Sequence, residues 1–268
     1  MRKVNIVERA SIRCSEWRKR ILYLSQNVTA LHIAPAFSCT EIVDVIYFEI
    51  MDNKSDVFIM SKGHGCMVQY VILNSLGMIS ENDLLNYCKI DGFLGAHPDY
   101  GIPGIQASTG SLGHGLGIAV GQAYAEKLKG SKLRFFCLIS DGELQEGSTW
   151  EALMMAVNLE LDNLTIFLDL NDFGGLERMS KNHKSFYPVV EKVRSFGCEV
   201  RNVDGHNSEE IYHAYNISLK ERPLMIICNT IKGKGVSFME NVPIWHYKSP
   251  SYDEYKLALS ELGEEIAQ

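Results

Sequence analysis

The chain has 268 residues, 46% hydrophobic, 22% charged and 10% aromatic, which excludes a disordered chain, a collagen-like repeat or a disulfide-stapled miniprotein. Lys plus Arg number 26 against 33 Asp plus Glu, so the net charge of −7 lacks the basic footprint of a nucleic-acid binder but leaves room for a local phosphate pocket. Seven cysteines, none in a CxxC pair, argue against a disulfide framework or a zinc site and for a reducing, cytoplasmic setting.

The first ~25 residues carry a charged, amphipathic helical rhythm through Val4, Ile6, Val7, Ile12, Ile21, Leu22 and Leu24. They contain no apolar core of the signal-peptide kind, and no later run approaches the ~18 apolar residues that span a membrane. A second helix is expected from Thr40 to Met51, giving a helical segment over about residues 1–55. A glycine-rich stretch, Ser108–Gly117, leads into a helical pattern over Ile118–Lys127. Strands are predicted at Arg134–Ile139 and Leu164–Leu170, a weaker one at Cys198–Val203, and another at Leu224–Thr230. Between them, Ser148-Thr149-Trp150-Glu151 reads as a capping box opening a helix that ends near Leu159. Asn207-Ser208-Glu209-Glu210 reads as the start of a helix over Ile211–Lys220. Near-continuous apolar strands suit burial on both faces. The alternation predicts an α/β fold with a doubly wound, mostly parallel sheet and helices on both faces. With no repeat or long linker, one domain over 1–268 is expected.

Chemistry concentrates at the predicted strand ends. Ser140-Asp141-Gly142 follows one strand and Asn171 the next, and open parallel sheets bind ligands outside their carboxyl ends. A carboxylate, an amide oxygen and a backbone carbonyl, with Phe173 the candidate, are hard donors suited to Mg²⁺ and phosphate oxygens. Gly142 lets a phosphate approach the backbone. The same residues fit an ordinary Asp-Gly turn and a helix-flanking Asn. The run Ser108–Gly117 fits an anion site at a helix start, or small residues that let elements pack closely. His32, His64, His97 and His246 sit in polar, Gly- or Pro-rich surroundings, where imidazoles can donate to phosphates and shuttle protons. Their spacing follows no zinc motif. His183, His206 and His213 read as surface or structural histidines.

The segments SKGHG, GAHPD, PGIQASTGSLGHGLGIAVG, SDGELQEGSTWEA, LDNLTIFLDLN and NTIKGKGVSFMEN followed by WH resemble, in order and spacing, the diphosphate-binding half of the transketolases. The resemblance covers roughly residues 10–250 and implies thiamine diphosphate with Mg²⁺ or Ca²⁺ and transfer of two-carbon ketol units between sugars. It implies Asp141, Asn171 and the Phe173 carbonyl as metal ligands. It implies His64 and Gly142 at the cofactor diphosphate, joined by Asn171 and His246, with Gly110, Ser111 and Leu112 flanking the cofactor. Glu146 would lie at a subunit interface and support cofactor activation. His32, His97 and His246 would handle substrate hydroxyls and protons.

A full transketolase resembles this chain followed by two further domains, one carrying the glutamate that meets the cofactor's aminopyrimidine. The expectation is therefore one component of a split enzyme, acting on sugars or sugar phosphates with a C-terminal subunit that supplies the pyrimidine-binding domain, in a heterotetramer. The apolar surface around Leu112, Leu116 and the Trp150–Leu159 helix would face that other chain. Departures from the family pattern include Ser140 for Gly, Leu31 before His32, Ser111 for Pro and Tyr247 after His246. Cofactor chemistry with an altered substrate, as in making an unusual or branched sugar, is the expectation. The rivals are another thiamine diphosphate enzyme, such as a 2-oxo acid dehydrogenase component or a deoxyxylulose phosphate synthase, and a non-catalytic assembly subunit.

Overall fold

Two hydrophobic faces of one parallel sheet organise the fold, in a computed structural model that describes residues 5–28, 32–216 and 221–264. Helix α1 (Ile6–Ser25) starts at Asn5, whose side chain accepts from the Glu8 amide at 2.8 Å. The helix expected from Thr40 begins earlier and is divided: α2 (Ile33–Ser38) buries all six of its residues, α3 (Thr40–Val45) follows, and a π turn over Ile46–Ile50 ends it. Strand β1 (Val57–Met60), α4 (Cys66–Ser75), α5 (Glu81–Leu85) and α6 (Gly115–Leu128) come next. Then follow β2 (Phe135–Ser140), α7 (Gly147–Asn158) and β3 (Leu164–Leu170). A two-stranded hairpin, β4 (Phe173–Gly174) with β5 (Glu177–Arg178), leads to α8 (Met179–Asn182) and α9 (Val189–Ser195). The chain ends with β6 (Glu199–Asp204), α10 (Ser208–Tyr215), β7 (Leu224–Asn229) and α11 (Tyr252–Glu261).

The main sheet has the order β1-β2-β3-β7-β6, and every pairing in it is parallel. Period-two alternation sends successive side chains to opposite faces. Phe136, Leu138, Phe167, Ile226 and Cys228 join one core with Ile21, Ile42, Val68 and Ile211 from α1, α3, α4 and α10. Cys137, Ile139, Ile166, Leu168 and Met225 join the other with Leu116, Leu153 and Val193 from α6, α7 and α9. The four predicted strands form within one residue of their expected limits. β1 escaped prediction because it has only four residues, VFIM, and pairs on one side only.

Two expectations need correction. The Ser148 capping box is not made: α7 starts at Gly147, and the Ser148 hydroxyl donates instead to the Gly113 carbonyl at 2.9 Å. Leu116 is fully buried in the core and not part of a surface facing another chain, whereas Ile118, Met154 and Met155 on α6 and α7 are exposed. Val4, Leu31 and residues 217–220 lie outside the described residues.

Candidate active site

The parallel sheet delivers its strand ends to one edge. Lys62 and His64 follow β1, Asp141 follows β2, Asn171 follows β3 and Lys232 follows β7. Adjacent to them is a cleft of about 200 Å³, lined by His32, His64, His97, His246, Gly142 and Phe173 among others.

Beneath it, Asp141 is buried with its carboxylate among backbone donors. Oδ1 accepts from the Gly142 amide at 2.9 Å, and Oδ2 from the amides of Asn171 at 3.2 Å and Phe173 at 3.0 Å. Asp172 makes this possible by taking a left-handed φ of 70°, which Asp tolerates better than most residues. Its own side chain accepts from the Ser180 amide at 2.8 Å and hydroxyl at 2.7 Å, and from the Tyr187 hydroxyl at 3.1 Å. Burial, then the neighbouring Asp169 charge, push the Asp141 carboxyl up to about 7 against the pull of Lys62 and Lys232. Asn171 Oδ1 accepts from the Phe173 amide at 3.1 Å, and Nδ2 donates to Asp169 at 3.2 Å.

Asp169 and Lys62 form a buried ion pair. Lys62 Nζ also donates to the Pro35 carbonyl at 2.8 Å and the Ser38 hydroxyl at 2.9 Å, so its three protons have acceptors. Lys232 differs. Its ammonium is buried, donates to the Gly175 carbonyl at 2.8 Å and lies 2.6 Å from His246 Nδ1, with no carboxylate partner among the described residues. Burial, then the Lys62 charge, pull its pKa down to about 7.

The four site histidines do converge, although 214 residues separate the first from the last (246 − 32). The His32 ring centroid lies 5.9 Å from that of His64, 5.8 Å from His97 and 5.3 Å from His246. Burial, then His97 and Lys232, lower the His32 pKa to about 4. Burial, then Lys232, lower that of His246 to about 3, and burial, then Lys62, pull His64 well down. These three imidazoles are uncharged at neutral pH. A Lys232 ammonium donating to Nδ1 of His246 leaves the ring proton on Nε2. Tyr247 packs against His246 at 4.4 Å and His32 at 5.3 Å and forms part of the cleft wall.

The glycine run serves close packing. A Cβ on Gly110 would come within 2.8 Å of His97, one on Gly63 within 2.7 Å of the Gly110 nitrogen, and one on Gly115 within 2.5 Å of Ser61. Gly110 and Leu112 line the cleft. Ser111 and Glu146 are exposed and do not line it. Glu146 instead borders Gly113, whose Cβ would lie 2.6 Å from the Glu146 Cβ. The buried Glu143 ties this region together, accepting from the amides of Ser140 at 2.9 Å and Gly113 at 3.1 Å and from the Ser61 hydroxyl. Ser140 and Glu143 form the reciprocal capping box that the sequence pattern suggested at Ser148.

Lys62, Lys232, Asp169 and Glu143 were not singled out from the sequence. Each stands within three residues of a strand end, where a charged group beside an apolar run signals a buried polar cluster. No cluster of three or more His, Cys, Asp or Glu suited to a metal occurs among the described residues. The candidate metal set is instead one carboxylate, one amide oxygen and one carbonyl.

A family model described as transketolase, thiamine diphosphate binding domain, matches residues 50–267. One of the subunits of an apulose-4-phosphate transketolase from Actinobacillus succinogenes is 39% identical over 259 residues, covering 92% of this chain and 94% of that protein. A protein of the same name from Phocaeicola vulgatus is 33% identical, covering 97% and 96%. Human transketolase is 37% identical over 226 residues, 81% of this chain but 36% of that protein. Among solved structures, a Leishmania mexicana transketolase superposes with a TM-score of 0.87 at 23% identity, over 98% of this chain and 42% of that one. The chain thus spans about two fifths of the solved transketolase's length.

Proposed function

The chain belongs to the transketolase family, and from that premise we propose that it is the diphosphate-binding component, a single domain, of a two-chain transketolase. The observation that carries the site assignment is a pair of buried ionisable groups, without ion-pair partners among the described residues and each pushed by burial toward its neutral form. Asp141 is a buried carboxylate surrounded by amides, and Lys232 is a buried ammonium beside the same cleft. Such charges are costly unless matched. A divalent cation bound to a diphosphate matches both, the metal at Asp141 and the anion at Lys232.

Asp141, the Asn171 amide oxygen and the Phe173 carbonyl would hold Mg²⁺ or Ca²⁺. Lys232 and His64 would meet the diphosphate, with Gly142 leaving room for it and Gly110 and Leu112, which line the cleft, flanking the cofactor. When bound, thiamine diphosphate supplies the electron sink for breaking and forming the carbon–carbon bond. The chain's own part is to orient and to move protons. His32, His97 and His246 would meet the substrate hydroxyls, and the uncharged His32 and His246 rings can each donate one hydrogen bond and accept another there, orienting a hydroxyl for proton transfer. With its ammonium donating to Nδ1, Lys232 would orient the His246 ring and leave Nε2–H as the donating edge. Glu146, exposed at the start of α7, is available to a partner chain.

The partner reading is supported by the two relatives named as transketolase subunits, which this chain matches over nearly their whole lengths. The partner would be a C-terminal subunit supplying the pyrimidine-binding domain and its glutamate, in a heterotetramer. Exposed Ile118, Met154 and Met155 give an apolar face for contact with another chain. No helix among the described residues is long and apolar enough to cross a membrane, and seven free thiols fit a reducing cytoplasm.

The test is reconstitution. Thiamine diphosphate with Mg²⁺ is titrated into the chain with and without its partner, and ketol transfer is assayed with apulose 4-phosphate as first donor, after the names of the two relatives. Transfer is expected from the mixture and not from the chain alone. Robust transfer by the purified chain alone would overturn the two-chain reading.

A further inference from the structure

His206 lies in the turn between β6 and α10, outside the cleft, and its sequence context suggests only a surface or structural role. Its two ring nitrogens are both engaged. The Ile231 amide donates to Nε2 at 2.8 Å, and Nδ1 lies 3.0 Å from Glu41 Oε2. A backbone amide can only donate, so Nε2 carries the lone pair and the ring proton sits on Nδ1, directed at Glu41. Glu41 is itself fixed, because Arg18 donates to its two oxygens at 2.7 and 2.8 Å and anchors to the Phe37 carbonyl at 3.0 Å. The imidazole is therefore a strut between the rigid α1–α3 layer and the segment leaving β7.

That segment carries Lys232. Its other anchors include the Thr230 hydroxyl, which donates to Asp169, and backbone bonds: the Thr230 amide on the Leu170 carbonyl at 3.0 Å, the Gly233 amide on the Ala34 carbonyl at 3.1 Å and the Asn241 amide on the Lys232 carbonyl at 2.9 Å. Ile231 is the amide here that depends on a side chain, and it immediately precedes the lysine that touches His246 and Gly175. We propose that His206 is a positioning residue that, through the Ile231 amide, sets Lys232 against the anionic end of the cofactor. The proposal rests on the transketolase reading above. A peptide rotation at Ile231 displaces the Lys232 ammonium directly, and small misplacements of a binding group are costly to function.

Two substitutions separate the strut from mere support. In His206→Asn the amide nitrogen occupies the Nδ1 position and keeps the Glu41 contact but cannot reach Ile231. In His206→Gln the carbonyl oxygen reaches the Nε2 position and accepts from Ile231. Thiamine diphosphate with Mg²⁺ is titrated into the complex of each variant with its partner chain, and thermal unfolding is recorded alongside. His206→Asn is expected to raise the Kd ~10-fold with little change in Tm, and His206→Gln to recover most of the affinity. In a Lys232→Met background the asparagine change is expected to have no further effect on Kd, since it acts through that lysine. An asparagine variant that binds as tightly as wild type overturns the proposal. So does one that does not fold, which would make His206 a structural residue. A wild-type complex that binds no thiamine diphosphate overturns the functional reading and this proposal with it.

Discussion

Lys232 Nζ lies 2.6 Å from Nδ1 of His246, a buried cation held against an uncharged imidazole. The contact joins the proposed anion-binding end of the cleft to the histidines proposed to face the sugar. Lysine orients the ring, and the ring leaves the positive charge uncancelled, as an anionic ligand requires.

Replacing that charge isolates its contribution. Lys232→Met keeps most of the length of the side chain and removes the ammonium. Hydrogen bonds to charged groups are worth ~1.5–3 kcal/mol, so thiamine diphosphate affinity is expected to fall ~10–100-fold. Thiamine, which lacks the diphosphate, should bind both forms alike. Equal losses for the two ligands would remove Lys232 from the diphosphate site.

Metal dependence is the second test. Asp141→Asn keeps the size and shape of the carboxylate but removes its charge. In wild type, chelation by EDTA is expected to abolish cofactor binding; in the variant, affinity is expected to be low with or without Mg²⁺. Calorimetric titration reads both. A variant that responds to Mg²⁺ as wild type does would move the metal elsewhere.

The histidines are tested by separating turnover from stability. His97→Ala and His246→Ala are each expected to lower kcat of the complex by ~10²–10⁴. Neither should lower the Tm by more than a few degrees, since both rings border the cleft and not the two sheet cores. Full activity in both variants would leave these rings with packing roles.

Glycines of one segment are expected to respond with opposite signs. Gly113 has φ 80°, and a Cβ there would meet Glu146 and the Ser148 hydroxyl at 2.6 Å, so Gly113→Ala should destabilise the chain. Gly121 lies inside α6 with open space around it, and Gly121→Ala should stabilise the isolated chain by ~0.4–1 kcal/mol. Urea unfolding of the two variants decides, and a stabilised Gly113→Ala would contradict the close approach.

Acid should expose the Arg18–Glu41–His206 network. Burial pushes the Glu41 carboxyl up, but the Arg18 charge and the hydrogen bonds from His206 and Arg18 outweigh it and hold it at about 2, against an ordinary 4.5. A carboxylate held lower in the folded than in the unfolded chain stabilises the fold above the unfolded value. That stability is lost as pH falls through the folded one. At ~1.4 kcal/mol per pH unit, the contribution is about 3 kcal/mol. The stability difference between wild type and Glu41→Gln should stay constant above pH ~5 and shrink as pH falls from 4.5 toward 2. A difference that does not change over that window would contradict the assignment.

The main sheet was largely legible because β2, β3 and β7 are apolar runs buried on both faces, which leaves helices on both sides as their partners, whereas β6, EVRNVD, gave only a weak signal. LTIFLDL matched its strand residue for residue. The four-residue edge strand VFIM was not legible, since so short a run is indistinguishable from a turn of buried helix. Asp141 and Asn171 were legible as site candidates because a polar residue at the end of an apolar strand projects into the ligand-binding edge of a parallel sheet. Ser148 misled because a local capping pattern cannot register a distant carbonyl, here that of Gly113, competing for the hydroxyl.

Residue order by itself determined the fold class, the strands that lead to Asp141 and Asn171, and the family, because these rest on local periodicity and on motifs read in sequence. Tertiary structure alone decided which charges cancel. Lys62 and Lys232 both stand in glycine-containing segments after strands, yet one is neutralised by Asp169 and the other is left without a carboxylate among the described residues. It also decided that His206 spans from Glu41 to Ile231, across 165 residues (206 − 41) and 25 residues (231 − 206) of chain. Pairings of this kind depend on which loops the parallel sheet brings to the same edge. Electrostatic and hydrogen-bond energies fall off within a few ångströms of space, whatever the separation along the chain.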